Sequence, residues 1–170
     1  MDDYVSTKGE VQFQDEYKPE PKPEPAMLPG DTVSCSIYAP PEAALGQTIM
    51  IQSWLHLWEE KNEVKELAVV IDDTAVLRQF STLGLPVQHK ERLHLVLESK
   101  HGGLATQTQV TRWLGTAQSI QFLVDIPPDM VEERLFFTLR VFLEQTESRL
   151  PCGEISFFIK IKDQAEAPLA

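Results

Sequence analysis

From residue 32 to residue 162, apolar and polar positions alternate for most of the chain, the period of a strand that buries one face. Residues 32–38 place Val33, Cys35 and Ile37 on one side before Pro40-Pro41 ends the run. Residues 47–58 carry Ile49, Ile51, Leu55 and Leu57 on one side and Met50, Trp54, His56 and Trp58 on the other. Further runs cover residues 92–98, 106–114, 119–126, 134–143 and 154–162. Their clearest inward sets are Leu93, Leu95 and Leu97; Ile120, Phe122, Val124 and Ile126; and Ile155, Phe157, Ile159 and Ile161. Gly102-Gly103, Leu114-Gly115, Pro127-Pro128-Asp129 and Pro151-Cys-Gly153 supply turn chemistry between the runs, and no proline falls inside one. The pattern predicts an all-β fold, an antiparallel β-sandwich of immunoglobulin-like character with about seven strands. A parallel α/β sheet needs a helix between successive strands, and only one interval has room for it.

That interval is residues 62–80, where the period changes. Val64, Leu67, Ala68 and Ile71 fall at i, i+3, i+4 and i+7, with Asn62 as a cap and Glu63, Lys65 and Glu66 facing water. A helix of two to three turns is predicted, stopped by Asp72-Asp73-Thr74; residues 75–80 fit a helical turn or a strand equally. Met50, Trp54, Trp58, Phe136, Phe142 and Phe158 point away from the inward sets, more than one short helix can cover. The second layer of the sandwich is the favoured cover for Phe136 and Phe158. For Trp54 and Trp58 a core position and an exposed partner site are equally open.

Charge divides the chain. Residues 1–31 hold eight acids and three lysines, which leaves −5 of the formal −11; the remaining 139 residues carry 18 acids and 12 bases. In the leader, Lys18-Pro-Glu-Pro-Lys-Pro-Glu-Pro25 alternates proline with charge, a composition that cannot build a core and predicts a disordered, extended tether. An inert linker is the favoured reading of this leader, and a short recognition segment at Val11, Phe13 and Tyr17 is the alternative. The folded domain is placed at residues 32–162, with residues 163–170 as a C-terminal tail. The acidic balance argues against a nucleic-acid backbone or an anionic membrane as the main partner, and no apolar window approaches the roughly 20 residues that cross a bilayer. Two cysteines and a start without a secretory signal predict a cytoplasmic chain with reduced thiols.

Catalytic chemistry is hard to assemble. No glycine-rich phosphate loop is present, His56, His89, His94 and His101 lack metal-ligand spacing, and the two cysteines are far apart in sequence. His94 alternates with Leu93 and Leu95 and reads as a solvated outward side chain. Cys35 reads as inward and inert. Cys152, in a proline-flanked turn, reads as the more accessible thiol, but no base is positioned for it. Asp72-Asp73 and Glu132-Glu133 lack the alternating ligand loop of a calcium site and read as surface acids. No cofactor, metal site or catalytic residue is expected, and the chain is read as no enzyme.

Several segments in order along the chain carry a resemblance. Cys35-Ser-Ile-Tyr-Ala-Pro-Pro41, Gly46-Gln-Thr48 and Ile49-Met-Ile-Gln52 are followed by Trp113-Leu-Gly115, Ser119-Ile-Gln-Phe122, Val124-Asp-Ile-Pro127 and Cys152-Gly-Glu-Ile-Ser-Phe157. Together they resemble a bacterial β-sandwich accessory domain that occurs beside Toll/interleukin-receptor-like and other effector domains in signalling or defence proteins. The resemblance covers residues 32 to about 162 and implies a non-catalytic module that positions or senses for a neighbouring effector. Such modules usually trail an effector domain, whereas only the 31-residue leader precedes this one, so a separate subunit or a fragment of that arrangement is expected. Two functions follow as expectations. In the first, a protein-interaction or scaffold module binds an effector or neighbouring subunit through a strand edge or through Trp54, Trp58 and Met50. In the second, a carbohydrate- or nucleotide-sensing domain uses Trp113 and His94, with Trp58, as a ligand platform.

Overall fold

The computed structural model describes residues 30–162; residues 1–29 of the expected tether and the C-terminal tail lie outside the described residues, and Asp31, counted with the tether, belongs instead to the fold because it pairs with Val87. Among the described residues nine strands form two sheets. They are β1 (Ser34–Ala39), β2 (Glu42–Ala43), β3 (Thr48–His56), β4 (Val76–Thr82), β5 (Arg92–Ser99), β6 (Gln107–Arg112), β7 (Gln118–Asp125), β8 (Arg134–Glu144) and β9 (Arg149–Ile161). One sheet has the order β4-β1-β3-β7 and the other β2-β9-β8-β5-β6. All pairings are antiparallel except the two-residue contact of β2 with β9. The all-β sandwich expected from the alternation is what the chain forms.

The inward sets are those the alternation marks. Val33, Cys35 and Ile37 face Leu93, Leu95 and Leu97 across a core that also takes Phe122, Leu139, Ile155 and Ile159. Phe137 and Phe157, directly opposite in register, stack with ring centroids 5.3 Å apart. β1 is buried along its whole length, because it is a central strand with the core on one side and a helix over the other. Its outward residues Ser34 and Ser36 are small enough to fit beneath that cover.

Three local features depart from the alternation. Helix α1 (Lys61–Ile71) starts directly from a 3₁₀ turn at Trp58–Glu60, and Glu60 rather than Asn62 caps this segment by accepting the Leu57 N–H at 2.8 Å. It ends where expected: Asp72 is extended, and its carboxylate accepts the Thr74 N–H at 3.0 Å to turn the chain. Residues 76–82, open between helix and strand in the sequence, form edge strand β4. Pro151-Cys-Gly153 is not a turn. β9 runs through it with a bulge, since Val141 pairs with Gly153 and Phe142 with Pro151, leaving Cys152 as the extra residue. Glycine is needed there because a Cβ at Gly153 would lie 2.7 Å from Leu83 Cδ2, a buried side chain.

Both corners of the sandwich close. Along edge strand β7 the Leu123 carbonyl accepts the Gln107 side chain at 2.8 Å, and the Gln121 carbonyl accepts Gln109. These glutamines project from β6, the edge of the other sheet. At the opposite corner Arg78 of β4 donates to the Phe158 carbonyl at 3.1 Å and the Gly84 N–H donates to Cys152 O at 2.7 Å. Edge groups that template strand addition are thus partly spent within the domain, and the broad faces become the surfaces of interest.

Candidate partner-binding surfaces

The outer face of the four-stranded sheet lies beneath α1. Gln52, Trp54 and His56 alternate along β3, and all three are buried. The Trp54 indole donates to Gln52 Oε1 at 2.8 Å, while Gln52 Nε2 donates to the Ala68 carbonyl at 3.1 Å, which ties sheet to helix. His56 Nδ1 lies 2.7 Å from the Leu57 carbonyl, which can only accept, so this nitrogen carries the proton. In the neutral ring Nε2 then accepts the Ser36 hydroxyl at 2.8 Å.

The expected contact set Trp54, Trp58 and Met50 therefore does not form one surface. Trp54 is 4% exposed and belongs to a second small core with Tyr38, Val64, Ala68 and Ala75. Trp58 is 61% exposed, packs edge-on against Phe80 at 5.7 Å, and carries the Lys61 ammonium 4.1 Å above its ring. Met50 is half-buried opposite Leu123, and the residues separating it from Trp58 along β3 are under the helix.

The helix presents a different apolar feature. Of the expected stripe only Val64 and Ala68 are buried; Leu67 and Ile71 are exposed, and Val70 is 82% exposed. Leu67, Val70 and Ile71, at i, i+3 and i+4, share one side of the helix. After the Asp72 turn the chain enters β4 with Val76 and Leu77, also exposed. Val69-Val70-Ile71 are β-branched, which makes them modest helix formers, yet all three are exposed, Val70 most of all; helix propensity does not explain them.

The outer face of the five-stranded sheet carries no helix. Register places Arg112, Arg92, Glu144 and Arg149 in one row across β6, β5, β8 and β9. The next row is Val110, His94, Phe142 and Pro151, followed by Thr108, Val96, Arg140 and Glu154. Towards the far end of β8 lie Phe136 opposite Phe158 and Arg134 opposite Lys160. Five of the six arginines of the chain are on this face, and the sixth, Arg78, reaches it from β4. Arg92, Arg134 and Arg140 have the outward parity of their strands, and strand pairing gathers them. Arg92 and Arg112, like charges directly opposite, are held apart in partner: Arg92 meets Glu144 at 3.4 Å, and Arg112 donates to the Lys90 carbonyl at 3.0 Å. Arg140 sits between Glu98 and Glu154, 3.4 Å from each.

Four expectations are corrected on this side of the molecule. His94 is buried rather than solvated, because Val110 and Phe142 flank it and Glu144 accepts its Nε2 at 2.6 Å. That hydrogen bond, with Arg92 nearby, holds the Glu144 carboxyl below the ordinary range. Trp113 is wholly buried, its indole donating to Asp31 Oδ2 at 2.7 Å, so it offers no face to a ligand. Phe136 and Phe158 are on the outer face, with centroids 5.8 Å apart and Arg134 4.9 Å above Phe158; the second layer of the sandwich does not cover them. Cys152 is 7% exposed, not accessible.

No protein-family model matches the chain, and no curated protein matches it. The surfaces must be read from their own chemistry. Among the described residues no cluster of three potential metal ligands occurs, and no helix is long and apolar enough to cross a membrane.

Both thiols are held protonated. Burial, with Cys152 adding to it, pushes Cys35 from 9.0 up to about 12, and burial with the Glu91 charge pushes Cys152 up to about 11. A thiol raised in the folded state contributes stability that is fully present below its unfolded value and is lost as pH rises towards the folded one. The urea midpoint is therefore expected to fall between about pH 9 and pH 11, and to fall less in Cys35→Ala. An identical decline in that variant would refute the assignment.

Proposed function

We propose that this domain is a non-catalytic protein-interaction module that docks an apolar surface of a partner subunit through the ridge formed by α1 and the start of β4. The observation that carries this reading is the exposure of Leu67, Val70, Ile71, Val76 and Leu77 in one stretch of chain. Large apolar side chains left in water are candidates for partner contact, and helix propensity gives no reason for β-branched residues at this helix end. The partly spent strand edges favour a face over strand addition, and the buried, protonated thiols favour binding over thiol chemistry. The resemblance to accessory domains of bacterial signalling and defence proteins supplies the kind of partner, an effector or neighbouring subunit.

The test pairs the protein with the product of an adjacent effector gene in sedimentation velocity. Co-sedimentation is expected, with Val70→Asp weakening it by at least about tenfold, because a carboxylate in an apolar contact loses its water without gaining a partner. Val70→Asp should leave the urea midpoint nearly unchanged, since its side chain is in water in the free protein. Co-sedimentation indifferent to Val70→Asp overturns the ridge as the docking surface. Concentration-dependent self-association abolished by Val70→Asp would show instead that a second copy occupies it.

A further inference from the structure

The arginine-rich face of the five-stranded sheet is a second surface, on the opposite side of the sandwich from α1. Its outward positions hold Arg92, Arg112, Arg134, Arg140, Arg149 and Lys160 against Glu42, Glu98, Glu144 and Glu154, a local excess of two positive charges. The whole chain carries −11, so this excess is opposite in sign to the rest of the molecule. Arg92 and Arg140 are paired with carboxylates. Among the described residues Arg112 and Arg149 have no carboxylate within ion-pair distance, although they stand at the two ends of the same row.

Beside that row runs the apolar row Val110, His94, Phe142 and Pro151. It opens at the β9 bulge into a depression of about 620 Å³, whose walls include Leu85, Phe142, Leu150 and Pro151, with Arg140 at its margin. The bulge lies at this feature: Cys152 turns inward to donate towards the Val141 carbonyl, so that neither it nor Gly153 places a side chain on the outer face. Three strand spacings separate Arg112 from Arg149, about 14 Å. An extended peptide advances the same distance in four residues, so carboxylates at i and i+4 match the two guanidiniums.

We propose that this face binds an extended acidic peptide segment of a partner protein, with carboxylates at Arg112 and Arg149 and an apolar side chain in the depression beside Phe142 and Pro151. A peptide is favoured over nucleic acid because Glu144 interrupts the row and Glu154 borders the depression. A continuous phosphate backbone meets both, whereas a peptide places its charges at intervals. The surface is separate from the α1 ridge and does not depend on the ridge being a docking site.

The test is fluorescence anisotropy of the full chain with a labelled peptide carrying Glu-Xaa-Phe-Xaa-Glu between serines. The comparisons are its glutamine counterpart and a labelled single-stranded oligonucleotide. The acidic peptide is expected to bind, to weaken with added salt, and to bind at least about tenfold more tightly than the glutamine peptide. Arg112→Glu/Arg149→Glu should reduce binding by at least about tenfold, and the milder Arg112→Gln/Arg149→Gln by a smaller factor, with folding checked by the urea midpoint. Val70→Asp should leave peptide binding unchanged, which separates this surface from the α1 ridge. Absence of peptide binding, equal affinity for the glutamine peptide, survival of binding in the charge-reversed variant, or tighter binding of the oligonucleotide would each overturn the proposal.

Discussion

Trp113→Ala is expected to lower the unfolding free energy by about 3–5 kcal/mol, the largest single-residue effect in the domain. Trp113 is the largest of the wholly buried side chains, and it closes one end of the sandwich. The segment entering β5 folds across it: the Trp113 carbonyl accepts Lys90 N–H at 2.6 Å, its N–H donates to Glu91 at 2.9 Å, and Asp31 exchanges two backbone hydrogen bonds with Val87. The Asp31 carboxylate then accepts the indole N–H. Truncation removes the ring, opens a cavity bounded by backbone that is fixed from both sides, and leaves Asp31 without its donor. Trp113→Phe keeps most of the volume and loses the hydrogen bond, so a smaller cost of about 1–3 kcal/mol is expected. Urea unfolding at unchanged slope measures both. A loss below about 1 kcal/mol for Trp113→Ala would mean that this end of the sandwich collapses readily around the vacancy.

Gln52→Ala is expected to cost about 2–4 kcal/mol, most of it felt at the junction of α1 and the sheet. Gln52 is wholly buried and is the polar link between Trp54 and Ala68. The Ala68 carbonyl retains a partner in Asp72 N–H at 3.0 Å, so the group left stranded is the Trp54 indole N–H. The cost should therefore depend on Trp54. In a Trp54→Phe background the stranded donor is gone, and Gln52→Ala should cost about 1–2 kcal/mol less than in the native chain. Hydrogen exchange supplies a local readout, since the α1 amides should lose protection beyond the global change. Strict additivity of the two substitutions would show that the indole finds another acceptor and that Gln52 acts only by filling space.

Trp54 and Trp58 show why the candidate surfaces were only partly legible in the sequence. They lie four residues apart with the same parity, and nothing local distinguishes them. Trp54 is within β3, where α1 returns over it, whereas Trp58 begins the 3₁₀ turn that leads into that helix and stays in water. Phe136 and Phe158 gave the opposite result, because the layer expected to cover them packs on the other side of β8 and β9 through Phe137 and Phe157. Proline and glycine flank Cys152 as they would in a turn. A bulge uses the same residues to keep one long strand going and to turn the thiol inward.

What the sequence by itself determined was direction. Side chains alternate across a strand, so Leu93, Phe122, Leu139 and Ile159 had to share the inward side of their strands wherever those strands lay. The same parity made Arg92, Arg134 and Arg140 outward. Which strands lie side by side is settled by pairing between segments far apart in the chain, and no local pattern encodes it. Only the tertiary structure decided that β9, β8, β5 and β6 share a sheet, that their arginines therefore form one face, and that α1 covers the other sheet.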